Sequence, residues 1–202
     1  KQTFPVSTTA NPLGYLKYTY TASEIQPDML NADITQTTDS PSWGGLYLQY
    51  FEKFDQVQQQ KGILSVTKKL FIEKIGSDGK QELLPLGKEK LKTGDKVITR
   101  LTLSLKQDMD FLYLKDFRAA CFEPIGQLSG NQWKFGTVYY EESKDAVTNF
   151  FFNSLAKGTY VLEYPVWVNQ AGTYQDGIAT FQSMYAPEYT AYSEAGKITV
   201  TK

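Results

Sequence analysis

The chain has 202 residues, enough for one large or two small domains with a real core. Hydrophobic residues make up 41% and charged residues 21%, and the formal net charge is −1, so no electrostatic footprint for nucleic acid or an anionic membrane is present. There is no histidine and one cysteine, which excludes Ser-His-Asp and Cys-His catalysis, His-containing zinc sites, thiolate cages and an internal disulfide.

No catalytic residue, metal site or cofactor is therefore expected. Fourteen Tyr, twelve Phe and three Trp favour pleated, half-buried strands. No apolar run is long enough for a transmembrane helix. The first residue is Lys1, and the chain is read as a processed product or an excised fragment without a visible signal peptide.

Lys1–Pro12 is Thr-, Ser- and Pro-rich and suits an extended lead-in. Asp33–Glu52 combines a Pro-Ser turn, a Trp-Gly-Gly step and an alternating strand, with Leu46, Leu48 and Tyr50 on one face and Tyr47, Gln49 and Phe51 on the other. "SWGG", with Trp43, reads as a turn with close backbone approach. Glu52–Gly62 reads as a polar linker or edge, and a boundary falls near Gln60. Two strands and a tail cannot bury a sheet alone, so this segment either packs on the larger remainder of the chain or completes a module lying upstream.

From there the hydrophobic period is two. Ile63–Ile72 places Leu64, Val66, Leu70 and Ile72 on one face. "GSDGK" (Gly76–Lys80) predicts a hairpin turn, and "KTGDK" (Lys92–Lys96) starts a long strand with Val97, Thr99, Leu101, Leu103 and Leu105 together. Cys121 reads as a small buried apolar residue. Lys144–Gly158 is ambiguous between a strand and a short helical turn and is read as a strand from β-favouring Asn149–Phe152, with Phe150 and Phe152 on one face and Phe151 on the other. Thr159–Val168 puts Tyr160, Leu162, Tyr164, Val166 and Val168 on one face, and Pro165 suggests an edge strand or a bulge. Strands at this spacing predict an all-β, antiparallel β-sandwich.

Six carboxylates, Asp108, Asp110, Asp116, Glu123, Glu141 and Glu142, are the only candidates for a carboxylate-based hydrolase, and they read as solvated strand-end positions. Asp116 and Arg118 read as a surface ion pair of little weight. Trp133 reads as closing one end of the core, with sugar stacking as its rival role.

Several stretches in order carry a resemblance: "SWGGLYLQYFE" (Ser42–Glu52), "LSVTKKLF" (Leu64–Phe71), "GDKVITRLTL" (Gly94–Leu103), "LKDFRAACFEP" (Leu114–Pro124), "SGNQW" (Ser129–Trp133), Tyr139–Tyr164 and "AGTYQDGIATFQSMYAPEY" (Ala171–Tyr189). This set resembles the carboxy-terminal end of bacterial alpha-2-macroglobulin family proteins, particularly the large Bacteroidetes versions. The resemblance implies a terminal macroglobulin-like β-sandwich domain over 61–202. It also implies an extended lead-in and partial CUB-like β segment over 1–60, the returning part of a module interrupted by a thioester domain. Family members trap proteases through a bait region and, in many members, a Cys-x-x-Gln thioester. Here Cys121 is followed by Phe122, Glu123 and Pro124, so the motif is absent from this chain.

The implied function is a non-catalytic, non-enzymatic terminal module of an envelope or periplasmic protease inhibitor. Its partners would be upstream domains of the parent chain and, through the parent, target proteases. Trp43, Phe151, Met184, Tyr185 and Tyr189 are the candidate interaction residues, with Met184 and Tyr185 expected to pack and Pro187 to end pairing on that edge. The alternative is a stand-alone carbohydrate- or peptide-binding β-sandwich using Trp133.

Overall fold

A computed structural model describes residues 17–31, 33, 35, 39, 41, 44–87, 90–126, 128–134 and 136–202. The chain divides into two compact units, Lys1–Gln49 and Tyr50–Lys202. Among the described residues of the first unit the regular structure is one 3-10 turn, Pro27–Leu30. No described helix is long and apolar enough to cross a membrane.

In chain order the second unit contains β1 (Leu64–Ile75), β2 (Gln81–Pro85), β3 (Leu91–Lys92), β4 (Lys96–Leu105), β5 (Met109–Phe117), β6 (Phe122–Pro124) and β7 (Gly130–Lys134). It continues with β8 (Thr137–Ser143), β9 (Val147–Leu155), β10 (Gly158–Val168), β11 (Gly172–Asp176), β12 (Ala179–Ser183), β13 (Thr190–Tyr192) and β14 (Gly196–Thr201). One sheet has the order β2-β1-β4-β10-β6 and the other β13-β12-β5-β9-β8-β7. A smaller sheet, β11-β14-β3, adds Leu91, Ile198 and Val200 to the core. The fold is all-β, and its two large sheets are antiparallel throughout.

The alternating pattern explains which side of each strand is buried. Val97, Leu101, Leu103 and Leu105 of β4 and Leu162, Val166 and Val168 of β10 are buried together. The opposing sheet contributes Leu112 and Leu114 of β5, Phe150 and Phe152 of β9 and Phe181 of β12. Tyr139 packs on Phe150 and Phe152 at ring distances of 5.7 Å each, and Phe152 meets Phe181 edge-on at 6.5 Å. Cys121 is buried.

Turn chemistry sets the connections. Gly79, at φ 77°, closes the β1–β2 hairpin where Gly76 N–H donates to Lys80 O at 2.8 Å. The β4–β5 and β9–β10 connections both cross between the two large sheets. They are tied together where Lys157 N–H donates to Asp108 Oδ1 at 2.7 Å. Pro165 pairs with Ile98 of β4, while its carbonyl accepts from Ile125 N–H just past the end of β6. Its nitrogen lies on that same side and cannot return the bond, so the ladder between β10 and β6 ends there, while the β4 side loses nothing.

The alternating strand expected over Leu46–Phe51 does not form. Residues 44–53 are irregular, and Leu46, Tyr47, Leu48, Tyr50 and Phe51 are all exposed. A period-two pattern makes a strand only where a partner supplies hydrogen bonds and a face to cover, and none is present for this stretch among the described residues. The polar stretch after it behaves as an edge: Gln60 bridges β13 through its N–H to Tyr192 O, 3.1 Å.

Gly177 sits where a side chain cannot. A Cβ there would lie 2.3 Å from Phe117 O. Gly177→Ala is expected to lower stability by about 1–3 kcal/mol, because β5 and the β11–β12 connection must separate. Gly196→Ala, with nothing within 4 Å of its Cβ position, is the matched control and is expected to be near neutral. Chemical denaturation of both variants checks this.

Candidate functional site: a buried inter-sheet cluster and an exposed aromatic face

Two groups of side chains stand apart from the apolar core. The first is buried. Lys68 occupies the inner phase of β1, between Val66 and Leu70, and its side chain is only 3% exposed. Asp116 occupies the inner phase of β5 after Leu112 and Leu114 and is fully buried. Lys68 Nζ lies 3.0 Å from Asp116 Oδ1 and 2.9 Å from Asp176 Oδ1 at the end of β11. It also donates to the carbonyls of Phe117 (2.7 Å) and Gly177 (2.9 Å). The close approach that requires Gly177 brings these two carbonyls together. Tyr164 of β10 donates its hydroxyl to Asp116 Oδ2. Asp116 Oδ1 has no aligned hydrogen bond of its own.

Arg118 extends the cluster along the second sheet. It donates to Thr148 Oγ1, to Lys144 O and, at 2.9 Å, to Asp145 O, pinning the β8–β9 turn. Asp116 and Arg118 are thus not a surface pair, as their sequence suggested, but buried groups with separate partners. The signal was present in the pattern: each of Lys68 and Asp116 puts a charge in the buried phase of an otherwise apolar alternation.

Burial opposes the charge on Lys68, but Asp116 and Asp176 outweigh it and hold its pKa above the ordinary lysine value. Burial raises the Asp176 carboxyl, partly offset by Lys68. Burial and the neighbouring Asp116 carboxylate raise Tyr164 well above the usual phenol.

The second group is exposed. On the outer face of the six-stranded sheet Phe151 stacks on Tyr113 at 4.9 Å and lies 6.3 Å from Tyr140. Tyr113 donates to Asn149 Oδ1 (2.8 Å), and Asn149 Nδ2 to Glu142 Oε2 (2.8 Å), which fixes the rings. Two residues from Tyr113, Phe111 has φ 52°, a left-handed conformation uncommon for an aromatic residue. Such strain costs on the order of 1–3 kcal/mol. It is held by Met184 N–H donating to Phe111 O at 2.9 Å and by Tyr185, whose ring meets Phe111 edge-on at 5.2 Å.

The expected interaction residues therefore fall in different places. Met184 and Tyr185 lie on the β12–β13 loop and are exposed, Tyr185 at 78%, with the Tyr185 ring against Phe111. Phe151 lies in the middle of the aromatic face. Tyr189 is half-buried and packs on the core. Pairing of β12 with β13 stops at Gln182 and Thr190, before the turn that holds Pro187. Trp43 lies outside the described residues. Phe111 and Tyr113 escape a reading of the sequence alone, in which "DFLYL" carries no mark of a surface. Trp133 does not close the core; it is 82% exposed on β7, directly opposite Val138 of β8. A groove of about 250 Å³ opens between the β7–β8 hairpin and the free margin of β10, lined by Gln132, Lys134, Glu141, Glu163 and Tyr164.

The fold is that of a macroglobulin-like β-sandwich, as the solved structures similar to it show. The bacterial alpha-2-macroglobulin MG10 domain model matches residues 64–188, and the chain belongs to that family. Similar solved structures include a Salmonella alpha-2-macroglobulin mutant (20% identity, 72% of this chain and 10% of that one, TM-score 0.56). Trypsin-activated alpha-2-macroglobulin from Escherichia coli is also similar (17% identity, 72% and 11%, TM-score 0.55). So is native E. coli alpha-2-macroglobulin from domain MG7 to the C-terminus (18% identity, 71% and 24%, TM-score 0.53). This chain thus spans about a tenth of the length of the first two. No curated protein matches the sequence.

One titration and one substitution check the buried groups. Cys121, pushed by burial to about 11, Tyr139, pushed by burial to about 12, Tyr164 and Lys68 all hold protons more tightly when folded. Between roughly pH 9 and 12 the unfolded chain binds fewer protons than the folded one, so stability falls as pH rises. A denaturant midpoint that drops steadily through this window, together with late tyrosinate formation, is the expected result. Lys68→Met, which leaves two buried carboxylates without their cation, is expected to cost about 3–5 kcal/mol at neutral pH. Equilibrium unfolding of that variant measures it.

Proposed function

We propose that the chain is a non-catalytic terminal module of a larger alpha-2-macroglobulin-like protein, which acts as an envelope or periplasmic protease inhibitor. The family match over 64–188 carries this reading. The supporting geometry is the exposed set Phe111, Met184 and Tyr185, with Phe151 half-buried on the same outer sheet face. Apolar surface of this kind, rimmed by polar groups, marks a protein contact. The strained Phe111 backbone fits the same role, since strain persists where the surroundings over-determine it.

In this reading residues 61–202 form the terminal domain, and 1–60 holds the lead-in and a partial CUB-like β segment. The exposed, alternating stretch from Leu46 to Phe51 then finds its sheet in upstream parts of the parent. The module works by packing: it holds neighbouring modules in the uncleaved arrangement and moves as a unit once the parent is cut. No enzymatic step is assigned to it.

A second reading is a carbohydrate- or peptide-binding sandwich. It is favoured by the exposed Trp133. Saturable sugar or peptide binding by this chain, lost in Trp133→Ala, would support it against the first.

Immunoblotting of source cells with an antibody to this chain tests the first reading. A band far larger than the chain, shifting when cells meet a broad-specificity protease, is expected. A band at the chain's own size overturns it. In the parent, Met184→Asp, which keeps the backbone N–H bonded to Phe111 O, is expected to alter the protease-triggered shift, while changing the stability of this domain by no more than about 0.5 kcal/mol, as exposed substitutions do.

A further inference from the structure

We propose that Lys68 and Asp116 close an intramolecular isopeptide bond that joins the two sheets of the sandwich covalently. The three groups such a reaction needs are placed together: an amine, a carboxyl group to receive it and a second carboxylate to move the proton. Lys68 Nζ is 3.0 Å from Asp116 Oδ1, and that oxygen has no aligned hydrogen bond. The Lys68 proton is instead engaged with Asp176 Oδ1 at 2.9 Å. Two fixed carbonyls, Phe117 O and Gly177 O, hold the amine in place against the carboxyl group. Asp116 is fully buried and the Lys68 side chain nearly so, which keeps competing water away.

The step balances without any other reactant. Asp176 takes one proton from the Lys68 ammonium and hands it to Asp116 Oδ1, and the freed amine lone pair forms the N–C bond to Cγ of the now neutral Asp116 carboxyl group. Charge develops on Asp116 Oδ2, where the Tyr164 hydroxyl already donates. Asp176 then takes a second proton from nitrogen and passes it to Oδ1, which leaves as water. Ammonium and carboxylate become one amide and one water, and Asp176 ends as it began. The strong hold on the Lys68 proton slows the reaction, but it is needed once per molecule, and the proton already lies in a short hydrogen bond to its acceptor.

The inference is independent of what the parent protein inhibits. The same amine satisfied by four oxygens also describes a stable ion pair, and mass decides between the two. The intact, folded chain is expected to weigh one water less than its sequence, and proteolytic digestion to release the Lys68 peptide joined to the Asp116 peptide. Lys68→Arg and Asp116→Ala are expected to restore the full mass. Asp176→Asn is expected to fold with both partners in place yet to remain unlinked, because the proton carrier is gone. The full sequence mass in cooperatively folded wild-type chain overturns the proposal. So does a one-water loss that maps to a single unbranched peptide, which is a cyclised aspartate rather than a cross-link.

Discussion

The structure depends on a lysine that has no water. Lys68 carries its charge into the space between two sheets, where an unpaired ammonium would be prohibitively costly. Everything around it answers that constraint. Asp116 comes from the opposing sheet, Asp176 from the third sheet, and two backbone carbonyls from the junction of β5 with the β11–β12 connection. Those carbonyls converge only because residue 177 has no side chain. Tyr164, from the first sheet, then satisfies the remaining Asp116 oxygen. The result is a polar bridge through an apolar core that accepts one register: sliding β1 by one residue would turn Lys68 to the outer face and leave both carboxylates buried alone. A cluster of this kind need not add net stability over apolar packing, since desolvation is large. Its physical consequence is specificity of how the sheets align.

The outer face obeys a different logic. Around Phe151 the rings are ordered by hydrogen bonds through Asn149 and Glu142 and by stacking, yet they stay only partly buried. At Phe111 the backbone is held in a left-handed conformation that puts an aromatic ring in solvent beside Tyr185. Order without burial spends conformational entropy in advance. A surface prepared in that way loses less when a partner arrives, the usual benefit of preorganisation.

Much of the fold was legible from period-two patterns. β1, β4, β9 and β10 fell where alternation placed them, and "GSDGK" made the hairpin its residues dictate, with Gly79 at positive φ. The errors have one source: pattern reports which faces differ, not what lies opposite. Leu46–Phe51 alternates as a strand should, but no partner strand is present for it among the described residues. Trp133 has the size of a core residue, but it sits on the outward phase of β7. Asp116 and Arg118 look like any surface pair until the phase of Leu112 and Leu114 is extended by two residues, which turns Asp116 inward. The Lys68–Asp116–Asp176 meeting was beyond pattern altogether, because its members come from three sheets far apart in sequence.

The two features belong together mechanically. An aromatic face can transmit force to its own domain only if the sheet beneath it resists shear against its partner sheet. Apolar packing alone resists separation well and sliding poorly, since a sheet displaced by a strand repeat finds similar contacts again. Directional bonds from Lys68 and Tyr164 in one sheet to Asp116 in the other have no equivalent after such a shift. Asp116 lies on the same strand, β5, as Phe111 and Tyr113. The strand that presents the exposed rings on one face is thus the strand anchored through the core on the other, so a load applied at the surface reaches the inter-sheet bridge along a single backbone.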